Sequence, residues 1–150
     1  MRGTDGAAGQ DVVVGDSGPS GPIDGRCMCG GVHFTVEPPL GPVNNCHCYR
    51  CRQFTGHHLA TTSCAPSQVD LHSSESLRWY APVPGIEYGF CGTCGSSLFW
   101  RADDLGEFVA ICAGVLDQPT GLRTTVAVWT AQHGDYHTPE PGVAEFDYGD

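Results

Sequence analysis

Seven of the nine cysteines in this 150-residue chain fall into three tight groups. They are Cys27-Met28-Cys29-Gly30, Cys46-His47-Cys48-Tyr49-Arg50-Cys51 and Cys91-Gly92-Thr93-Cys94-Gly95. C-x-C and C-x-x-C spacings suit a shared metal ion better than disulfides. Disulfides would also need an oxidising compartment. From Met1 to Pro22 the longest apolar run is Val12-Val13-Val14, well short of a secretory signal core. A metal-stapled fold and a cytoplasmic location are therefore expected.

Four thiolates make a closed tetrahedral site, whereas three leave a position open for chemistry. Seven cysteines divide naturally as four plus three. The C-x-C-x-x-C group supplies three sulfurs from six consecutive residues, so Cys46, Cys48 and Cys51 can form a three-ligand site alone. The first and third groups each end in glycine. That residue lets the chain turn tightly and aim N–H groups at the sulfurs. One ion on Cys27, Cys29, Cys91 and Cys94 would close a loop of about sixty residues and replace much of a core as the source of stability. Thiol ligands favour zinc over magnesium or calcium, so two zinc ions per chain are expected. A second arrangement stays open. All seven cysteines could serve two closed structural sites, with an Asp, His47, His57 or His58 completing the second.

Charge narrows the partners. The chain has 17 acidic and 7 basic residues, for a net charge of −10, and no lysine. Such a surface repels phosphate backbones and anionic lipid, so neither nucleic acid nor membrane is an expected partner. No run approaches the roughly 20 apolar residues of a membrane span. A small anionic substrate could still bind where several of the few arginines sit together, and the sequence is compatible with a homo-oligomer.

Twenty-one glycines and eleven prolines predict many turns and short elements. Residues 1–22 read as a disordered arm and 23–150 as a single zinc-binding domain. Val32, Phe34 and Val36 alternate with His33 and Thr35, a half-buried strand. Further strands are expected over His58–Ser63, Val69–Leu71, Leu77–Tyr80, Ile86–Phe90, Leu98–Trp100, Glu107–Cys112 and Thr125–Thr130. The one helical turn falls at Cys48–Phe54. The class is mainly β, built from short antiparallel strands.

Three ordered motifs carry a resemblance. They are Gly25-Arg26-Cys27-Met28-Cys29-Gly30-Gly31-Val32-His33-Phe34, then Cys46-His47-Cys48-Tyr49-Arg50-Cys51-Arg52 through Gly56, then Phe90-Cys91-Gly92-Thr93-Cys94-Gly95-Ser96-Ser97-Leu98-Phe99-Trp100. With the late Gly114-Val115-Leu116-Asp117 and Pro119, the stretch from about Gly25 to about Phe146 resembles the glutathione-dependent formaldehyde-activating enzyme family, which also includes centromere protein V. The resemblance implies an Mss4-like fold of small antiparallel sheets stapled by zinc. It implies a structural zinc on Cys27, Cys29, Cys91 and Cys94, and a catalytic zinc on Cys46, Cys48 and Cys51 whose sphere a substrate completes. It also implies a zinc-dependent carbon–sulfur lyase acting on the adduct of a small thiol, of which S-hydroxymethylglutathione is the family's named example. The competing reading is a non-enzymatic zinc-binding interaction or structural module.

Around such a centre, His57 and His58 are candidates for moving a proton to or from a hydroxymethyl oxygen. As strand neighbours they should face opposite ways, so one of them should face the metal. His47 lies between two ligands, which turns its ring away from them. Arg50 and Arg52 flank Cys51 and could hold the carboxylates of a thiol tripeptide. Phe54 is a candidate wall for the substrate. Cys112, in the apolar run Phe108–Val115, reads as a buried small hydrophobe.

Overall fold

Alternation of apolar and polar residues sets the first layer. Val32, Phe34 and Val36 are fully buried. Phe34 and Val36 belong to β2 (His33–Val36), which pairs antiparallel with β1 (Ile23–Arg26) and with β5 (Val69–Ser73). This computed structural model describes residues 18–149, so residues 1–17 of the expected arm lie outside the described residues. The second layer has eight strands. In chain order these are β3 (Val43–Cys46), β4 (Leu59–Cys64), β6 (Leu77–Val83), β7 (Ile86–Cys91), β8 (Ser97–Ala102), β9 (Val109–Cys112), β10 (Thr124–Val128) and β11 (Ala144–Phe146). Their spatial order is β11-β10-β3-β4-β9-β8-β7-β6.

The fold is mainly β, as the sequence predicts, with one refinement. β10 pairs parallel with both β3 and β11. Parallel neighbours need a crossover, and the long segments before β10 and after it supply the chain length. The single helix, α1 (Tyr49–Thr55), begins one residue later than the expected turn and ends one residue later. Its left-handed cap is Gly56, at φ 84°.

Side chains from successive residues of the large sheet point to opposite faces. One face meets the small sheet. There Phe34 packs against Phe99 with ring centroids 5.1 Å apart, joined by Ile111, Cys64 and Leu116, and by Leu98 where an irregularity in β8 breaks the alternation. The other face carries Trp100, Cys112, Tyr88 and Leu59, and Cys51 and Phe54 of α1 cover it. Those neighbours explain how the middle cysteine group becomes partly buried.

Gly25 lies opposite Phe34 in the β1–β2 register. A side chain there would collide with the Phe34 ring. Gly25→Val should therefore destabilise the domain by about 1–3 kcal/mol through overpacking. Thermal melting would read this as a loss of several degrees. An unchanged melting temperature would show that the two sheets can separate without cost.

Candidate metal centres

The nine cysteines are all free thiols. The sulfurs of Cys27, Cys29, Cys91 and Cys94 lie within 4.8 Å of one another. Cys27 to Cys29 is 3.6 Å and Cys29 to Cys91 is 3.7 Å. Four sulfurs about 2.3 Å from a tetrahedral ion sit about 3.8 Å apart, so the spacing fits a thiolate-bound metal. Both turns aim backbone N–H groups at the sulfurs. Val32 donates to Cys27 (3.2 Å), Gly31 to Cys29 (3.4 Å), and Thr93 and Cys94 to Cys91 (3.4 and 3.5 Å). Cys91 Sγ donates to Ser76 Oγ at 3.4 Å, and this side-chain hydrogen bond is the main reason that thiol is held down at about 7. Ser96 does the same for Cys94, held at about 5, while its oxygen accepts from Met28 N–H. Each backbone donor stabilises thiolate over thiol.

The second group forms where β3 ends. Cys46 closes β3, and its Cα neighbours are Leu59 on β4 and Val128 on β10. Cys48 is the N-cap of α1, and its sulfur accepts from Cys51 N–H at 3.5 Å. One helical turn then brings Cys51 back to the same point. The three sulfurs lie within 4.8 Å of one another. Among the described residues, no further Cys, His, Asp or Glu atom joins them at that separation. Three adjacent thiols cannot all ionise unaided. Hydrogen bonding from Cys46 holds Cys48 down at about 2, and the same pairing pushes Cys46 up to about 12. Cys51 is driven up by Cys46 and Cys48 together. A cation among them would remove that conflict, and soft sulfur ligands suit zinc-like ions.

Tyr88, on β7, was not singled out in the sequence. Its hydroxyl lies 3.3 Å from Cys51 Sγ, and the residue is only 3% exposed. Burial, followed by the nearby sulfur, pushes its pKa up, so the phenol stays protonated. Nothing in the chain marks a strand tyrosine as the neighbour of a cysteine 37 positions earlier.

The other expected residues are distributed as follows. Phe54 packs against Tyr88 with the rings tilted by 56° and centroids 4.7 Å apart, inside the apolar cluster that backs the sulfurs. Arg50 is exposed and makes no ion pair with the described residues. Arg52 is half-buried, and its Nε has no hydrogen-bond partner among them. His57 and His58 precede β4 rather than lying in it. The expected alternation does not apply, and their rings sit 4.2 Å apart. Neither joins the sulfur group. Instead, nitrogens of His47, His58 and His137 lie within 4.8 Å of one another. His47 turns from the sulfurs, as its position requires, but into a buried site and not to solvent. Burial, then repulsion from His57, His47 and His137, pushes His58 down to about 4. Cys64 and Cys112 are buried, and burial pushes them up to about 11 and 12, as inert core thiols.

A depression of about 420 Å³ lies beside the four-cysteine group, lined by Arg26, Met28, Ser96 and Asp117 among others. It does not reach the three-cysteine group. The Arg26–Asp117 ion pair (3.0 Å) ties its rim together. No helix among the described residues is long and apolar enough to cross a membrane.

No curated protein matches the chain significantly. A Rhodobacter sphaeroides protein, whose crystal structure was solved as a structural genomics target, is similar in fold. Its TM-score is 0.58 at 19% identity, over 82% of this chain and 98% of that one. The model of the glutathione-dependent formaldehyde-activating enzyme family matches residues 22–132, a span that holds all three cysteine groups. With two cysteine centres able to hold metal, and a sequence match across most of its length, the chain belongs to the glutathione-dependent formaldehyde-activating enzyme family.

Proposed function

We propose that this protein is a zinc-dependent carbon–sulfur lyase that makes and breaks the adduct of a small thiol with an aldehyde. The observation that carries the reading is the three-sulfur group of Cys46, Cys48 and Cys51, with no fourth protein ligand among the described residues. Zinc held there would favour the thiolate form of an incoming sulfur and stabilise that sulfur as a leaving group. Cys27, Cys29, Cys91 and Cys94 would hold a second, structural zinc.

In the cleavage direction the carbon–sulfur bond of the hydroxymethyl adduct breaks and its electron pair leaves with sulfur. The hydroxyl gives up its proton as the aldehyde C=O forms, and a proton ends on the released thiol. Tyr88 Oη is the donor that reaches the centre directly, through Cys51. It tempers the charge on that sulfur and orients it. His57, exposed beside His58, is our candidate for exchanging the hydroxyl proton with solvent. Arg50, free of any ion pair with the described residues, would bind a carboxylate of the thiol.

Tyr88→Phe keeps the ring packed on Phe54 and deletes only the hydroxyl. It should lower kcat by about tenfold or more while moving the melting temperature little. Arg50→Ala should weaken a carboxylated thiol by about tenfold and a neutral thiol hardly at all. The reaction itself is testable by magnetisation-transfer NMR on an equilibrium mixture of thiol, formaldehyde and adduct. Because the adduct also forms spontaneously, the reading needs an exchange rate that rises with protein concentration and falls to background in Cys48→Ser. An exchange rate indifferent to the protein would remove the lyase assignment.

A further inference from the structure

Four of the seven histidines come together at one corner of the molecule. His47 arrives from the β3–α1 junction, His57 and His58 from the α1–β4 loop, and His137 from the segment after β10. Ring centroids are 5.0 Å apart for His47–His58, 5.3 Å for His47–His137 and 4.6 Å for His57–His137. No carboxylate of the described residues forms an ion pair with any of the four. Glu140 is close enough to act on His58 but pairs with none of the four, so the imidazoles would repel one another once protonated, and packing alone gives no reason to collect them.

We propose that His47, His58 and His137 form a third metal site, taking a zinc-class divalent transition ion through one ring nitrogen each. Their nitrogens lie within 4.8 Å of one another. Nitrogens about 2.0–2.1 Å from a tetrahedral ion sit about 3.4 Å apart, which small side-chain rotations reach. His47 is 2% exposed, so one ligand is already desolvated and fixed. His58 Nδ1 is buried with no hydrogen-bond partner among the described residues. An unpaired buried nitrogen is costly, and a metal would satisfy it. Three imidazoles with no thiolate form a ligand set for zinc, copper, nickel or cobalt, not for magnesium or calcium. The site therefore differs in ligand chemistry from both cysteine centres.

The backbone is built to deliver the third ligand. Gln132 Oε1 accepts from Tyr49 N–H at 2.8 Å, which lays the segment carrying His137 across the start of α1. Trp129, a bulky residue held at φ 57°, turns the chain into that segment. His137 N–H donates to Gly134 O at 3.1 Å, closing the turn that presents the ring. An ion here would clamp the C-terminal segment onto the corner that also holds Cys46 and Cys48. Because His47 lies between those two cysteines, the clamp and the sulfur centre share one stretch of backbone.

The test uses tag-free full-length protein with its cysteine centres loaded with zinc, titrated with Co²⁺. One further equivalent should bind, giving visible ligand-field bands and no rise in sulfur-to-metal charge transfer. His137→Ala should weaken that event at least about tenfold, since even second-shell losses cost about 10–100-fold. His58→Ala should do the same. His72→Ala, remote from the group, should leave it unchanged, and a retained zinc content of the variants reports that they are folded. Absence of a further equivalent would overturn the site. So would a charge-transfer band rising with it, or wild-type affinity in folded His137→Ala. The readout does not depend on thiol binding or turnover, so the third site and the lyase reading stand or fall separately.

Discussion

Cys91→Ser should leave most of the chain unfolded at 25 °C. Cys91 is fully buried and joins the third cysteine group to the first across 62 residues. The ion it would help to hold ties the β7–β8 turn of the large sheet to the loop between β1 and β2 of the small one. Structural zinc contributes on the order of 10 kcal/mol of apparent folding free energy. A domain of this size has only about 5–15 kcal/mol to lose. Circular dichroism and melting on the variant would check this. Two-state melting within about 5 °C of wild type would mean that the packed sheets hold without the staple.

Cys48→Ser should have the opposite profile, with turnover at the uncatalysed background and only a few degrees lost on melting. Cys48 closes a loop of six residues with Cys46 and Cys51, so losing it releases little chain entropy. Serine is itself a good N-cap, and its oxygen can still accept from the helix N–H groups that Cys48 Sγ now satisfies. The apolar support from Phe54, Tyr88, Leu59 and Cys112 remains. Metal content should fall by one equivalent in this variant. If Cys48→Ser and Cys91→Ser melted alike, the division into a structural and a reactive centre would be wrong.

The cysteine groups were legible because their information is local. C-x-C, C-x-x-C and a following glycine dictate tight turns that bring sulfurs together whatever the surrounding sheet does. The α1 turn was legible for the same reason, as was the strand pattern around Phe34. β3 was not. Its residues Val43-Asn44-Asn45-Cys46 lack the β-branched and aromatic alternation of a strand. It forms because it lies between β4 and β10, where pairing on both sides satisfies its backbone. β1 hides behind Asp24 and Gly25, and the glycine is there because the Phe34 ring covers it. β11 is three exposed residues with no pattern to read. Tyr88 and His137 were illegible for a related reason. Each is brought to its site by strand order or a distant turn, and neither lies at a diagnostic spacing from its neighbours there.

The Cys46–Cys48–Cys51 centre is expected to hold a metal with a position open to an incoming thiol. The most direct measurement is the absorption spectrum of protein carrying cobalt at that centre, followed as a small thiol is added. The thiol sulfur should enter the coordination sphere, shift the sulfur-to-cobalt charge-transfer bands, and saturate at one thiol per chain. Calorimetry in buffers of different ionisation enthalpy should count about one proton released as the thiol becomes a thiolate. A spectrum unmoved by millimolar thiol would mean that the centre is closed and structural.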